Sequence, residues 1–103
     1  MYVPVAVVHQ TDIKAGVAEV EQALLPDVVR INYEVGTDWS GDWAIFFRIL
    51  LSDDAGARRL MDTANTVIGQ LGQRFDFATM GLFPYHNFRT VSEQAVLREK
   101  AWA

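Results

Sequence analysis

The chain has no cysteine, which excludes disulfides and thiolate metal sites. It has two histidines, His9 and His86, far apart in the sequence. Basic residues are scarce: nine Lys and Arg stand against thirteen Asp and Glu, for a net charge of −4 and an isoelectric point near 4.9. Proteins that bind nucleic acid neutralise phosphates with clustered Lys and Arg, so direct nucleic-acid binding is not expected. Long hydrophobic runs are absent too. Val3–Val8 is far too short to span a bilayer and contains Pro4. No Lys or Arg precedes Lys14, so the start lacks the basic region of a signal peptide. The expectation is a cytoplasmic protein with no membrane association.

With 103 residues, of which 50% are hydrophobic and 21% charged, the chain suits one globular domain spanning 1–103. A chain of this size buries roughly 60–70% of the surface its unfolded form exposes. An apolar share this high in so small a domain suggests a further buried surface, against a copy of itself or another small protein. Charge is divided unevenly. Residues 1–57 hold nine acids and three bases, net −6, and residues 58–103 hold four acids and six bases, net +2. Such halves can match each other within one molecule or associate head to tail.

Tyr2–Val8 is rich in β-branched residues and reads as a short strand, which Pro4 would confine to a sheet edge. Ile13, Val17, Val20 and Leu24 share one helical face, which predicts a helix over 12–25 that starts near Thr11 or Asp12 and stops at Pro26. Val29, Ile31, Tyr33 and Val35 alternate with polar residues, the pattern of a half-buried strand over 28–36. Trp43–Leu51 is apolar except for Arg48, with Ile45, Phe47, Ile49 and Leu51 on one face. Strand, loop and strand together form a β-hairpin. Asp53 and Asp54 suit the start of a helix over 53–72, in which Leu60, Ala64, Val67 and Leu71 follow a 3.6-residue period and Gly72 lies near the end. A third strand is expected within 79–89. Thr90 and Glu93 have capping-box spacing before a helix over 91–100. The fold class is therefore α+β: a two-layer domain with a small antiparallel sheet built on the hairpin and two main helices on its apolar face.

Three groups of residues could carry function. The loop Gly36–Asp42 with Trp43 places Asp38, Trp39, Asp42 and Trp43 close together, and exposed Trp is enriched where proteins meet. These four are the candidate partner-binding residues. Asp38, Ser40 and Asp42 alternate as at the start of an EF-hand loop, but Trp43 and Ile49 stand where that loop needs Gly and Glu, so no metal site is expected. In the simpler reading the Asp side chains cap loop N–H groups and the indoles fold back on the sheet. Arg48 interrupts an apolar strand and needs a partner; Glu34, on the preceding strand's polar face, is the natural one. His86, Arg89 and Glu93 are the weak catalytic candidates, since an acid–base group, a cation and an acid could serve RNA cleavage. The simpler reading pairs Arg89 with Glu93 and seals the core end with aromatics. Gly36-Thr37 before downstream acids loosely suggests a nucleotidyltransferase, but no Asp-x-Asp pair lies on a strand. No cofactor signature is present.

The stretch Arg30–Asp53, above all GTDWSGDWAIFFRILLSD, with GLFPYHNFRTVSEQ and the terminal KAWA, resembles a family of small uncharacterised bacterial proteins. The resemblance covers about two thirds of the chain. Its matching positions are Asp38, Trp39, Gly41, Phe47, Arg48 and Asp53, then Asn87, Phe88, Arg89, Ser92 and Glu93. It implies a gene placed beside one for a small HEPN-domain protein, as in toxin–antitoxin pairs. The expectation is a non-enzymatic interaction protein, antitoxin-like or regulatory, acting as a homo-oligomer or on a small protein partner. The alternatives are a small RNA-acting enzyme and a subunit of a larger complex.

Overall fold

Alternation of branched and polar side chains gives two long strands, β1 (Val28–Thr37) and β2 (Trp43–Leu51), in an antiparallel hairpin. The computed structural model describes residues 10–103; the strand expected over Tyr2–Val8 lies outside them. Partners run from Val28 opposite Leu51 to Thr37 opposite Trp43, with a bulge between Val28 and Arg30. Because side chains alternate across a strand, one face of β2 carries Ile45, Phe47, Ile49 and Leu51, all fully buried. The other carries Phe46, Arg48 and Leu50, all half-buried.

The helix α1 (Gln10–Ala23) precedes the hairpin. It contributes Ile13, Val17 and Val20 to the buried cluster that contains the inner residues of β2. Three helices follow β2: α2 (Asp53–Arg58), α3 (Leu60–Arg74) and the single turn α4 (Phe77–Met80). The helix expected over 53–72 is thus two. The break falls at Arg59, whose backbone (φ −137°, ψ 34°) leaves the helical region. Its guanidinium is drawn to Asp27 at 2.7 Å and Asp54 at 3.0 Å. Ser52 caps α2 by accepting from the Ala55 N–H. Beyond the break, α3 buries Val67 and Leu71 in the common core and runs past Gly72 to Arg74.

The third strand forms where expected, as β3 (Phe83–Thr90). Its direction corrects the sequence expectation. Sheet order is β1-β2-β3, with β3 parallel to β2, from Ala44 beside Phe83 to Leu51 beside Thr90. The sheet is therefore mixed rather than antiparallel. The physical reason is the connection: parallel neighbours need a crossover of a dozen or more residues, and α2–α4 supply it. The domain remains α+β.

After β3, the capping box forms as predicted: Thr90 accepts from the Glu93 N–H while the Glu93 carboxylate accepts from the Thr90 N–H. It opens α5 (Val91–Leu97), which stops short of the expected residue 100. Arg98 takes a left-handed conformation at its end. The start of α5 is tied to the start of α2, because Ser92 donates from its backbone N–H and its hydroxyl to the Asp53 carboxylate. The chain then lies over the outer face of the sheet. A 3-10 turn at Lys100–Trp102 buries Trp102 to 7% exposure. The Arg89 guanidinium sits 4.3 Å from its ring centroid, and the Asn32 amide donates to the carbonyls of Ala101 and Ala103.

Helix packing sets opposite requirements at two glycines. A Cβ on Gly16 of α1 would meet the Phe75 ring at 2.5 Å, whereas one on Gly69 of α3 would meet nothing within 4 Å. Ala is favoured over Gly in helices by about 1 kcal/mol. Gly69→Ala should therefore raise stability by about 0.5–1 kcal/mol, while Gly16→Ala should lower it. Urea denaturation of both variants checks this, and a stabilised Gly16→Ala would contradict the close approach of α1 to Phe75.

Candidate interaction site

The hairpin loop is organised by one carboxylate. Asp38 Oδ1 accepts from the Ser40 N–H at 2.9 Å, the Ser40 hydroxyl at 2.7 Å and the Asp42 N–H at 3.0 Å. Asp38 Oδ2 accepts from the Tyr85 hydroxyl at 2.9 Å, across 47 residues of sequence. Backbone bonds from the Asp38 N–H to the Asp42 carbonyl, and from the Gly41 N–H to the Asp38 carbonyl, close the turn. Gly41 takes φ 86°, a left-handed value that L side chains resist. This is the capping arrangement expected of loop Asp residues. Its oxygens are engaged by donors, and no group of three or more His, Cys, Asp or Glu suited to a metal occurs among the described residues. The Ser40 hydroxyl, first of all, holds the Asp38 carboxyl below its ordinary value, with Tyr85 and the backbone N–H groups outweighing the opposing effect of desolvation. The same bond to Asp38 raises the Tyr85 phenol above its ordinary value.

The two hairpin tryptophans divide. Trp39, at the tip, is 92% exposed. Trp43, on the inner face of β2, is half-buried against the core. The fold-back expected of both indoles thus holds for Trp43 alone. Asp42 is exposed; its Oδ2 lies 3.1 Å from the Ser40 hydroxyl, whose one proton it shares with the nearer Asp38 Oδ1.

Strand register places an aromatic row beside this loop. On the outer face, Glu34, Phe46 and Tyr85 lie side by side, and Ala44 and Phe83 lie one row nearer the hairpin turn. Phe46 stacks on Tyr85 with centroids 5.2 Å apart, and Tyr85 meets Phe83 at 5.0 Å. Phe83 is 59% exposed. The Glu34–Arg48 pair expected from sequence forms at 3.1 Å. Sequence reasoning did not select Phe83 and Tyr85, although their i, i+2 spacing on an expected strand was a signal that they share a face.

The three catalytic candidates, His86, Arg89 and Glu93, all line one cavity of about 450 Å³, which they approach from different positions. His86 stands in the row of Tyr33 and Phe47, whereas Arg89 stands in the row of Arg30 and Leu50 on the opposite face. His86 stacks on Phe47 with centroids 5.4 Å apart, and burial pushes its imidazole pKa below the ordinary value. Its Nε2 is sealed from solvent without a hydrogen-bond partner among the described residues. The expected Arg89–Glu93 pair is replaced. Arg89 binds Gln94 at 2.8 Å and Glu99 at 3.1 Å, because Glu93 is committed to capping α5. No helix among the described residues is long and apolar enough to cross a membrane.

The opposed shifts at Asp38 and Tyr85 set a pH window for the loop. A depressed carboxyl pKa contributes stability above the unfolded value, about 3.9, that is lost as pH falls through the folded value. A raised phenol pKa contributes stability below about 10 that is lost as pH rises through the folded value. Protection of the Ser40 and Asp42 amides, taken relative to their intrinsic exchange rates at each pH, should therefore be highest between these limits and fall beyond each. In Tyr85→Phe the alkaline transition should disappear while the acid one remains. Protection indifferent to pH across the acid limit would contradict the Asp38 network.

Comparison of the chain with family models, curated proteins and solved structures found no match.

Proposed function

We propose that this chain is a non-enzymatic interaction protein, a regulatory or antitoxin-like partner of another small protein, and that it binds through the hairpin end of the domain. The observation that carries this reading is Trp39, 92% exposed on a loop pinned by the Asp38 network. Exposing an indole to water is unfavourable, and fixing it on an ordered turn reduces the entropy lost when a partner covers it. The neighbouring Phe83 ring extends the apolar surface. Asp38 and Asp42 give the region an acidic character that would favour a basic partner and speed its encounter. The resemblance to proteins encoded beside HEPN-domain proteins supports a small protein as that partner. The enzymatic alternative would use the cavity that His86, Arg89 and Glu93 line, where Glu93 caps α5 and Arg89 is bound to Gln94 and Glu99.

The test is solution mass by light scattering over a range of concentrations, on the protein alone and with a small HEPN-domain protein of the kind the resemblance implies. The expected result is a stable complex or a self-assembled oligomer that Trp39→Ala weakens by about 30-fold or more, as hot-spot tryptophans do, without loss of thermal stability. Trp43→Ala should act differently: its half-buried ring makes it a stability mutant, costing about 2–4 kcal/mol. A concentration-independent monomer under both conditions would overturn the interaction reading.

A further inference from the structure

A cavity of about 470 Å³ opens between the hairpin loop and the turn joining α4 to β3. Trp43, Phe77 and Phe83 supply its aromatic lining and Leu82 its aliphatic part, while Gly41 and Gly81 bring bare backbone to its rim. One charged side chain lines it, Asp42. The loop uses Asp42 Oδ2 through the Ser40 hydroxyl, which leaves Oδ1 without a hydrogen-bond or ion-pair partner among the described residues. No Lys or Arg lines the cavity to neutralise that carboxylate.

Aromatic rings around a lone carboxylate form a recognisable chemistry. Ring faces are negative and attract cations. A carboxylate with a free oxygen accepts charge-assisted hydrogen bonds, best from a planar guanidinium that can also stack on the rings. We infer that this cavity receives an arginine side chain from the protein partner, its guanidinium paired with Asp42 and stacked against Trp43 or Phe83. The inference rests on the interaction reading above and names the chemistry of the partner. It also gives Trp43 a part in recognition beside its part in the core. An ammonium can satisfy the charge but not the stacking of a planar cation on the rings, so arginine should be preferred to lysine. Gly41 and Gly81 have positive φ values of 86° and 72°, and the absence of side chains there keeps the rim open.

The test uses N-acetyl-arginine amide as probe, with the lysine and the uncharged citrulline counterparts, titrated against the full chain by two-dimensional NMR. The expected result is a saturable shift of the Trp43 indole N–H and the Gly41 and Gly81 amides with the arginine probe, a weaker one with lysine, and none with citrulline. Asp42→Asn should weaken arginine binding at least about tenfold, the scale of a lost charge-assisted hydrogen bond. It should leave thermal stability unchanged, since loop closure uses the Asp38 carboxylate and the Asp42 backbone. Phe83→Ala, at a largely exposed ring, provides a second variant with the same expected weakening. Equal binding of arginine and citrulline, or undiminished binding in Asp42→Asn, would overturn the inference. A Trp39-dependent complex formed by a protein that ignores the arginine probe would sink this inference alone. Arginine binding by a protein that forms no complex would sink the interaction reading and leave the cavity's chemistry standing.

Discussion

The central strand β2 is the constraint on which the rest depends. Its inner residues Ile45, Phe47, Ile49 and Leu51 are completely buried, and the strand is paired along both edges. Burying four large side chains removes enough apolar surface to stabilise by several kcal/mol in total, at about 1.5–3 kcal/mol for each. A slip of one residue in its register would exchange the two faces and put Arg48 into the core. The register is thereby fixed, and with it the position of every side chain on the two neighbouring strands. β1 must set Glu34 where Arg48 can reach it. β3 must alternate in phase with β2, which sends His86 inward against Phe47 and leaves Tyr85 and Arg89 outside.

That phase relation decides which chemistry can be assembled. Residues three apart on a strand lie on opposite faces, so His86 and Arg89 reach the cavity they both line from different sides of β3. Tyr85, one residue from His86, is released to the outer face, where its hydroxyl reaches Asp38. The same alternation that turns His86 and Arg89 to different sides of β3 thus builds the loop network. Arg89 is used structurally, between Trp102 and the Gln94 and Glu99 side chains, and so holds the chain terminus against the sheet.

Local periodicity made the hairpin, α1, α3 and the capping box of α5 legible, because each is written in residues near one another in sequence. The direction of β3 was not legible: a short aromatic segment carries no mark of whether it pairs parallel or antiparallel, and the crossover helices decide it. The break at Arg59 was hidden for a related reason. It depends on Asp27, 32 residues away, while the local pattern of Leu60, Ala64 and Val67 is continuous with a single long helix. At the site, the capping role of Asp38 was readable from the loop composition. Its bond to Tyr85 was not, since nothing local marks a contact across 47 residues. Trp39 and Trp43 looked alike in sequence, and only strand phase separates a residue at the tip from one facing the core.

The division between those tryptophans bears on how the surface would work. Trp39 has little contact of its own, so its position is set by the loop beneath it, whose closure depends on Asp38. The Asp38 carboxylate accepts four hydrogen bonds, which leaves it little capacity for a partner. Asp42 has the opposite character, with one engaged oxygen and an aromatic cavity at its side. Two acids four residues apart therefore separate into one that orders the loop and one that remains available for contact. Ordering before contact is the condition under which a small surface can bind well, because the conformational cost is borne in folding rather than in association. A small domain with few interface residues to spare gains most from that arrangement.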